Sequence, residues 1–159
     1  MKKMVHVHVD QLNTADETET ELLAKKTIKY KLQNRVVAVH GVSIAAHPKT
    51  YRNRLYKLMN KAGLMVVCCP SAWIDSRRSE IMSVTHNSIV PVDELAPAGI
   101  TVSLGTDNIV DIYKPFSNGD IWIELRILLE SCHYYNIEEL VKISTINGQK
   151  SIGLPVHTK

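Results

Sequence analysis

Cysteines and long apolar runs are scarce in this sequence, and each scarcity excludes a class of protein. The 159 residues include three cysteines, of which Cys68 and Cys69 are adjacent, so we expect neither a disulfide framework nor a CxxC metal knuckle. No apolar stretch approaches the roughly 20 residues needed to cross a bilayer. The opening Met1-Lys2-Lys3 leads into a short alternating segment rather than a signal peptide, so we expect a cytoplasmic protein.

The sequence also has no cluster of like charges. The net charge is +3 and no run of five like charges occurs, which argues against nucleic acid and membrane surfaces as partners. The composition, 45% hydrophobic and 22% charged, is that of an ordinary globular domain. We therefore expect a single domain over residues 1–159.

Four short runs rich in Val, Ile and Cys have the character of buried strands. They cover residues 5–10, 36–40, 64–69 and 100–104. Helical patterns follow them at 18–32, 48–62, 91–95 and 120–134, and a last helix capped by Asn136 runs through residue 143. In the first helix we expect Leu22, Leu23 and Tyr30 to form the apolar stripe, and we interpret Trp122 as a core residue.

Strands that recur about every 30 residues with helices between them predict a parallel sheet of βα units. A dinucleotide-binding sheet needs a glycine-rich first turn, but residues 11–14 contain no glycine. Polar residues instead follow the strand ends: His8 and Asp10, His40, and Asp107. Barrel enzymes assemble their chemistry at this edge, and a full barrel takes about 250 residues. The predicted fold is therefore half of a TIM-type (β/α)8 barrel, with four parallel βα units and a C-terminal helix.

Two imidazoles and a carboxylate from separate strands suit metal-dependent hydrolysis, which needs ligands that leave a coordination position for water and a base to take its proton. His6 points the same way as His8 along the strand, although we interpret it as a structural residue. His47 and His86 lie in loops at the same end, where they could contact a substrate.

Four segments make the pattern recognisable: VHVHVDQ at 5–11, RVVAVHG at 35–41, LGTDN at 104–108 and TINGQKSIGL at 145–154. In this order and spacing they resemble the C-terminal half of the amidohydrolase superfamily, most of all its cytosine deaminase-like branch. The resemblance covers nearly the whole chain.

The resemblance implies a role for each matching residue. His8 matches a metal ligand, Asp107 matches a ligand that also takes the proton of the attacking water, and His40 matches the histidine that polarises the attacked centre. Asn108 and Tyr113 fall where related enzymes contact the substrate. The implied cofactor is one divalent ion, with zinc, iron and manganese left open because mixed nitrogen and oxygen ligands suit all three.

Gln11 departs from the branch, because cytosine deaminases carry a proton-shuttling glutamate at this place. An amide can orient a substrate through hydrogen bonds but cannot do acid–base work. The His-x-His pair of the family's first strand is also absent. The expected function is hydrolysis of a C–N bond in a small cyclic or heterocyclic substrate.

Two other functions stay open. The chain could be a truncated or split half-barrel without activity of its own, which needs the missing N-terminal half or a second copy of itself to cover its open edges. A small-ligand binding module is the remaining alternative.

Overall fold

The computed structural model describes residues 3–74 and 88–156, so the predicted loop residue His86 lies outside the described residues. A four-stranded sheet forms the centre of the fold, with every neighbouring pair of strands parallel. The strands follow the chain in the order β1-β2-β3-β4. Their bounds are β1 (Val5–Val9), β2 (Val36–His40), β3 (Met65–Cys68) and β4 (Val102–Leu104).

Helices connect the strands in the predicted alternation. Their bounds are α1 (Glu19–Lys29), α2 (Lys49–Ala62), α3 (Pro70–Trp73), α4 (Val92–Leu95), α5 (Ile121–Cys132), α6 (Ile137–Ser144) and α7 (Ile146–Ser151). A 3₁₀ helix at Val42–Ala46, which the sequence did not predict, follows β2 directly. The sequence also did not predict α7 as a separate helix after α6.

One face of the sheet packs on the helices and forms the core. Alternate strand residues such as Ala38, Val66 and Val102 are buried there against Met59 of α2 and Leu128 of α5. The other alternate residues, including His6 and His8, point to the opposite face. The sheet therefore has one face covered by helices and an opposite face that carries His6 and His8 beside apolar residues such as Val39 and Val67.

The structure confirms the expected helix ends at α2 and α6. Gly63 ends α2 in the left-handed conformation with φ +57°, and an added Cβ would clash with the Asn34 side chain. Asn136 begins α6, and its side-chain oxygen accepts a hydrogen bond from the Glu139 N–H at 3.1 Å.

Two predictions about which residues are buried are wrong, one for α1 and one for Trp122. In α1 the buried residues are Thr20, Ala24 and Thr27, whereas Leu22 and Tyr30 are exposed. This helix packs closely on α2 and β2, which favours small side chains at the contact. Leu23, as predicted, packs against the core.

Trp122 is the second error, since 73% of its surface is exposed. It lies in the first turn of α5, where Asp120 caps the helix by accepting the Trp122 N–H at 2.9 Å. The buried face of α5 instead carries Glu124 and Leu128, which are four residues apart.

None of the helices that the structure describes combines the length and apolarity of a bilayer-spanning segment.

Candidate active site

The C-terminal ends of β1, β2 and β4 bring His8, His40 and Asp107 together. The His8 Nδ1 and His40 Nε2 atoms share a hydrogen bond of 3.0 Å, and the two rings meet edge to face with centroids 4.8 Å apart. The His40 Nε2 atom lies 3.9 Å from the Asp107 Oδ2 atom. The structure therefore groups the three residues that the sequence predicted at one site.

Backbone conformation explains how His40 reaches its partner. By strand alternation His40 belongs with Val36 and Ala38, which face the helices, while His8 faces the other way. His40 has φ +74°, in the left-handed region that side-chain-bearing residues rarely adopt. This turn at the end of β2 brings its ring to His8.

The same backbone feature occurs at two further strand ends. Asp10 has φ +53° and Asp107 has φ +58°. Each such residue costs of the order of 1–3 kcal/mol and persists only where its surroundings enforce it, which is typical of functional sites. Six further non-glycine residues of the described ranges also have positive φ, so this strain accompanies the site at His40 and Asp107 without singling it out.

Electrostatics keep the His40 ring neutral. Burial lowers the pKa of His40 to about 4, an effect that Asp107 opposes and His8 reinforces. At neutral pH the ring therefore has one N–H group and one lone pair, and it can donate a hydrogen bond without carrying charge.

An open cleft of about 460 Å³ lies on the face of the sheet opposite the helical core. Its polar walls include His6, His8 and Asp107, and its floor includes Val39, Val67 and Leu104. The remaining lining residues are Cys69, Gly105, Gly148, Ser151 and Ile152. A cleft of this size, with a largely apolar floor and a few polar groups, suits a small molecule.

The two adjacent thiols are buried. Burial raises the pKa of Cys69 to about 12, with a further contribution from Asp107, and burial raises the pKa of Cys68 well above its usual value. These thiols are therefore protonated at neutral pH, which is the state of structural rather than nucleophilic cysteines.

The other predicted site residues lie apart from this cleft. Gln11 follows Asp10 in the loop after β1 and is partly buried. The Asn108 amide donates to the Asp111 carboxylate, and the Ser117 hydroxyl donates to the Asn108 carbonyl at 2.8 Å. Tyr113 is 79% exposed and lines a neighbouring groove of about 340 Å³. Within 3–74 and 88–156, none of these three lines the His8–Asp107 cleft, and neither does His40, whose side chain is 1% exposed.

Asp10 has a role that the sequence did not reveal. Its carboxylate is buried and accepts hydrogen bonds from the N–H groups of Glu19 at 2.7 Å and Thr20 at 3.2 Å. Asp10 therefore caps α1, although it lies eight residues before Thr18, the predicted start of that helix. Thr18 itself makes no side-chain capping bond. An aspartate at a strand end shortly before a helix is the sequence signal for such a cap.

Two further histidines are held by the scaffold. The His6 Nε2 atom donates to the Ser151 carbonyl at 2.9 Å and so ties β1 to α7. His47 is buried, stacks on Tyr51 and donates through Nε2 to the Glu17 carbonyl at 2.6 Å. Both rings therefore have structural hydrogen bonds.

The donor types at the strand ends fit a divalent ion only in part. An imidazole from His8 and a carboxylate from Asp107 are ligands that zinc, iron and manganese accept. Among the described residues, however, no three His, Cys, Asp or Glu side chains form a group able to hold a metal ion. A complete coordination shell would need ligands from elsewhere.

Comparison with known proteins identifies the family. The model of the amidohydrolase family matches residues 1–158. An uncharacterised protein of Haemophilus influenzae is 51% identical over 94 residues, which are 59% of this chain and 34% of that protein. The N-isopropylammelide isopropyl amidohydrolase of Pseudomonas sp. (strain ADP) is 27% identical over 117 residues, which are 74% of this chain and 26% of that enzyme.

A solved structure shows the same architecture. The 5-methylcytosine deaminase of Klebsiella pneumoniae superposes with a TM-score of 0.84 at 24% identity, over 96% of this chain and 40% of that enzyme. The chain thus spans about a third or less of these two relatives and less than half of the solved enzyme. The match confirms a partial α/β barrel of four parallel βα units.

Proposed function

The chain belongs to the amidohydrolase family, and from that premise we propose that it forms the C-terminal half of a barrel that hydrolyses a C–N bond in a small cyclic or heterocyclic substrate. The observation that carries the proposal is the convergence of His8, His40 and Asp107 at three strand ends, with separations of 3.0 and 3.9 Å. The relatives support the reaction class, since their names describe a deaminase and an amidohydrolase.

Each residue of the group has a chemical role. His8 and Asp107 are the residues of this chain that would hold one divalent ion, and such an ion would supply Lewis-acid activation of water and of the bond under attack. Asp107 accepts the proton of the attacking water and returns it to the leaving nitrogen. The neutral His40 ring donates a hydrogen bond to the atom on which negative charge develops.

The substrate contacts are proposed from the resemblance. Gln11 orients the ring through its amide, and Asn108 and Tyr113 provide further contacts. Tyr113 lies in the neighbouring groove, so it would contact only a substrate that extends over the loop after β4.

The single domain that we propose for residues 1–159 is completed by the other half of the barrel. In the described sheet β1 and β4 are edge strands, and parallel sheets are rarely left with an uncovered face. The remaining metal ligands would also come from that half. The same open edges favour the alternative, a half-barrel that is inactive alone and gains activity only with a partner half or a second copy.

The test compares the chain alone with the chain mixed with the N-terminal half of a relative. Turnover would be followed by ammonia or amine release from cytosine, 5-methylcytosine and N-isopropylammelide, with zinc, iron or manganese supplied. We expect Asp107→Asn to lower turnover by on the order of 10³-fold or more, because the amide cannot accept the water's proton. Asp120→Asn is the matched control, since asparagine caps a helix equally well.

The outcomes distinguish a half-barrel that is active alone from one that needs a partner. Turnover by the chain alone would exclude both the split-half alternative and the need for ligands from a second half, and turnover only in the mixture would support both. If Asp107→Asn retains turnover within a few-fold of the parent in the active assembly, the proposed mechanism is wrong.

A further inference from the structure

A set of hydrogen bonds joins the loop after β1 to the loop after β2, and its centre is the pair Glu17 and Ser43. The Glu17 Oε2 atom accepts the Leu12 N–H at 2.6 Å and the Ser43 hydroxyl at 2.5 Å. The Ser43 hydroxyl oxygen accepts the Thr14 N–H at 3.1 Å. We call Glu17 and Ser43 the loop clasp.

Backbone hydrogen bonds extend the clasp to the strands that carry the histidines. The Ser43 N–H donates to the Asp10 carbonyl at 3.0 Å, and the Gly41 N–H donates to the Val9 carbonyl at 3.1 Å. Asp10 and Gly41 lie two residues after His8 and one residue after His40. The clasp thus closes on the two chain segments that bring these rings together.

Gln11 lies inside the clasped loop. Its neighbour Asp10 is held through the carbonyl that Ser43 binds, and its neighbour Leu12 is held through the N–H that Glu17 binds. The backbone of Gln11 is therefore fixed on both sides, which limits where its amide can point.

Helix capping does not account for Glu17. The first N–H groups of α1 are bound by the Asp10 carboxylate, so α1 has its cap without Glu17. Ser43 is fully buried, and a buried hydroxyl that loses its acceptor is costly. Joining the two loops is the interaction that explains a glutamate here.

We infer that Glu17 and Ser43 are positioning residues that hold His40 against His8 and fix the backbone of Gln11. The inference rests on the proposed function for the importance of that geometry. Its structural part concerns the two rings alone and can be tested without substrate or metal.

The test uses long-range ¹H–¹⁵N spectra of the full chain, which report the tautomer and hydrogen bonding of each imidazole. Glu17→Ala and Ser43→Ala should shift the ring nitrogens of His8 and His40 and remove protection of the N–H that they share. Glu17→Gln should restore the parent spectrum, since its amide oxygen can accept both bonds. Glu130→Ala, which removes only an exposed pair with Arg126 on α5, is the control and should leave both rings unchanged.

If Glu17→Ala does not fold, Glu17→Asp takes its place, because it keeps the charge and withdraws the carboxylate by one methylene. Unchanged His8 and His40 signals in a folded Glu17→Ala or Glu17→Asp variant would overturn the inference. In an active assembly, Glu17→Ala should also lower kcat/KM by on the order of 10²-fold, with Glu17→Gln close to the parent. A failed Asp107→Asn test with shifted histidine spectra would refute the proposed function and leave the clasp standing.

Discussion

The Glu94 carboxylate links α4 to α2, and we expect its replacement to destabilise the chain. Arg52 donates to it through Nε at 2.9 Å and through Nη2 at 2.8 Å, and the Tyr56 hydroxyl donates at 2.7 Å. Arg52 also donates to the His47 carbonyl at 2.6 Å, and His47 binds Glu17. The hydrogen-bond network therefore runs from Glu94 of α4 through Arg52 and His47 to Glu17 of the loop clasp.

The size of the effect follows from burial. The side chains of Glu94 and Arg52 are 20% and 18% exposed, so solvent screens the pair only weakly. Glu94→Gln keeps one acceptor but turns an N–H₂ group towards the donors of Arg52. Because charge-assisted bonds contribute about 1.5–3 kcal/mol each, we expect a loss of about 2–3 kcal/mol in the free energy of unfolding at neutral pH.

The loss should depend on pH in a known direction. The Arg52 hydrogen bonds hold the pKa of Glu94 below its usual value of 4.5 in the folded chain. The contribution of Glu94 is therefore fully present above that value and disappears as the pH falls through the lower folded pKa. The stabilities of the parent and Glu94→Gln should converge in acid.

Urea unfolding followed by circular dichroism at neutral and acid pH measures both values. Glu130→Gln is the matched control: it removes an exposed i,i+4 pair with Arg126 and should change stability by less than about 0.5 kcal/mol. A gap between the parent and Glu94→Gln that is the same at both pH values would refute the reasoning.

Two further predictions concern the scaffold around the site. Gly63→Ala should destabilise the chain by about 2 kcal/mol or more, since the residue has φ +57° and the new Cβ would meet Asn34. Thermal unfolding measures this change, and an unchanged midpoint temperature would contradict the prediction. Cys68 should not react with a thiol reagent in the folded chain and should react fully in denaturant, because burial protects it and raises its pKa. Fast labelling of Cys68 in the folded chain, located by peptide mass spectrometry, would contradict its buried placement.

The strands were predictable from sequence because continuous apolar runs mark strands buried in a parallel sheet. The predicted range 36–40 matches β2; β1 is one residue shorter than predicted, β3 is one residue shorter at each end, and β4 is two residues shorter at its start. The buried face of α1 was not predictable in the same way. Leucines suggested one stripe, but close packing of the helix selected Thr20, Ala24 and Thr27.

The candidate site was predictable as a set of residues but not as a geometry. His8, His40 and Asp107 were found because parallel strands end at one edge. Strand alternation alone would have placed His40 on the face that packs against the helices. The φ of +74° that reverses this could not be predicted, since position 40 is not a glycine. Gln11, Asn108 and Tyr113 stay predictions, because their contacts depend on a bound substrate.

The strand order has a consequence for how the chain reaches its folded state. Each strand pairs with its successor, and the paired residues are separated by only 28 to 36 positions along the chain. The entropy cost of closing such loops is modest and nearly equal at each step. The sheet can therefore grow by adding one neighbouring βα unit at a time. Closing a barrel would further require strands beside β1 and β4 that lie outside the described sheet.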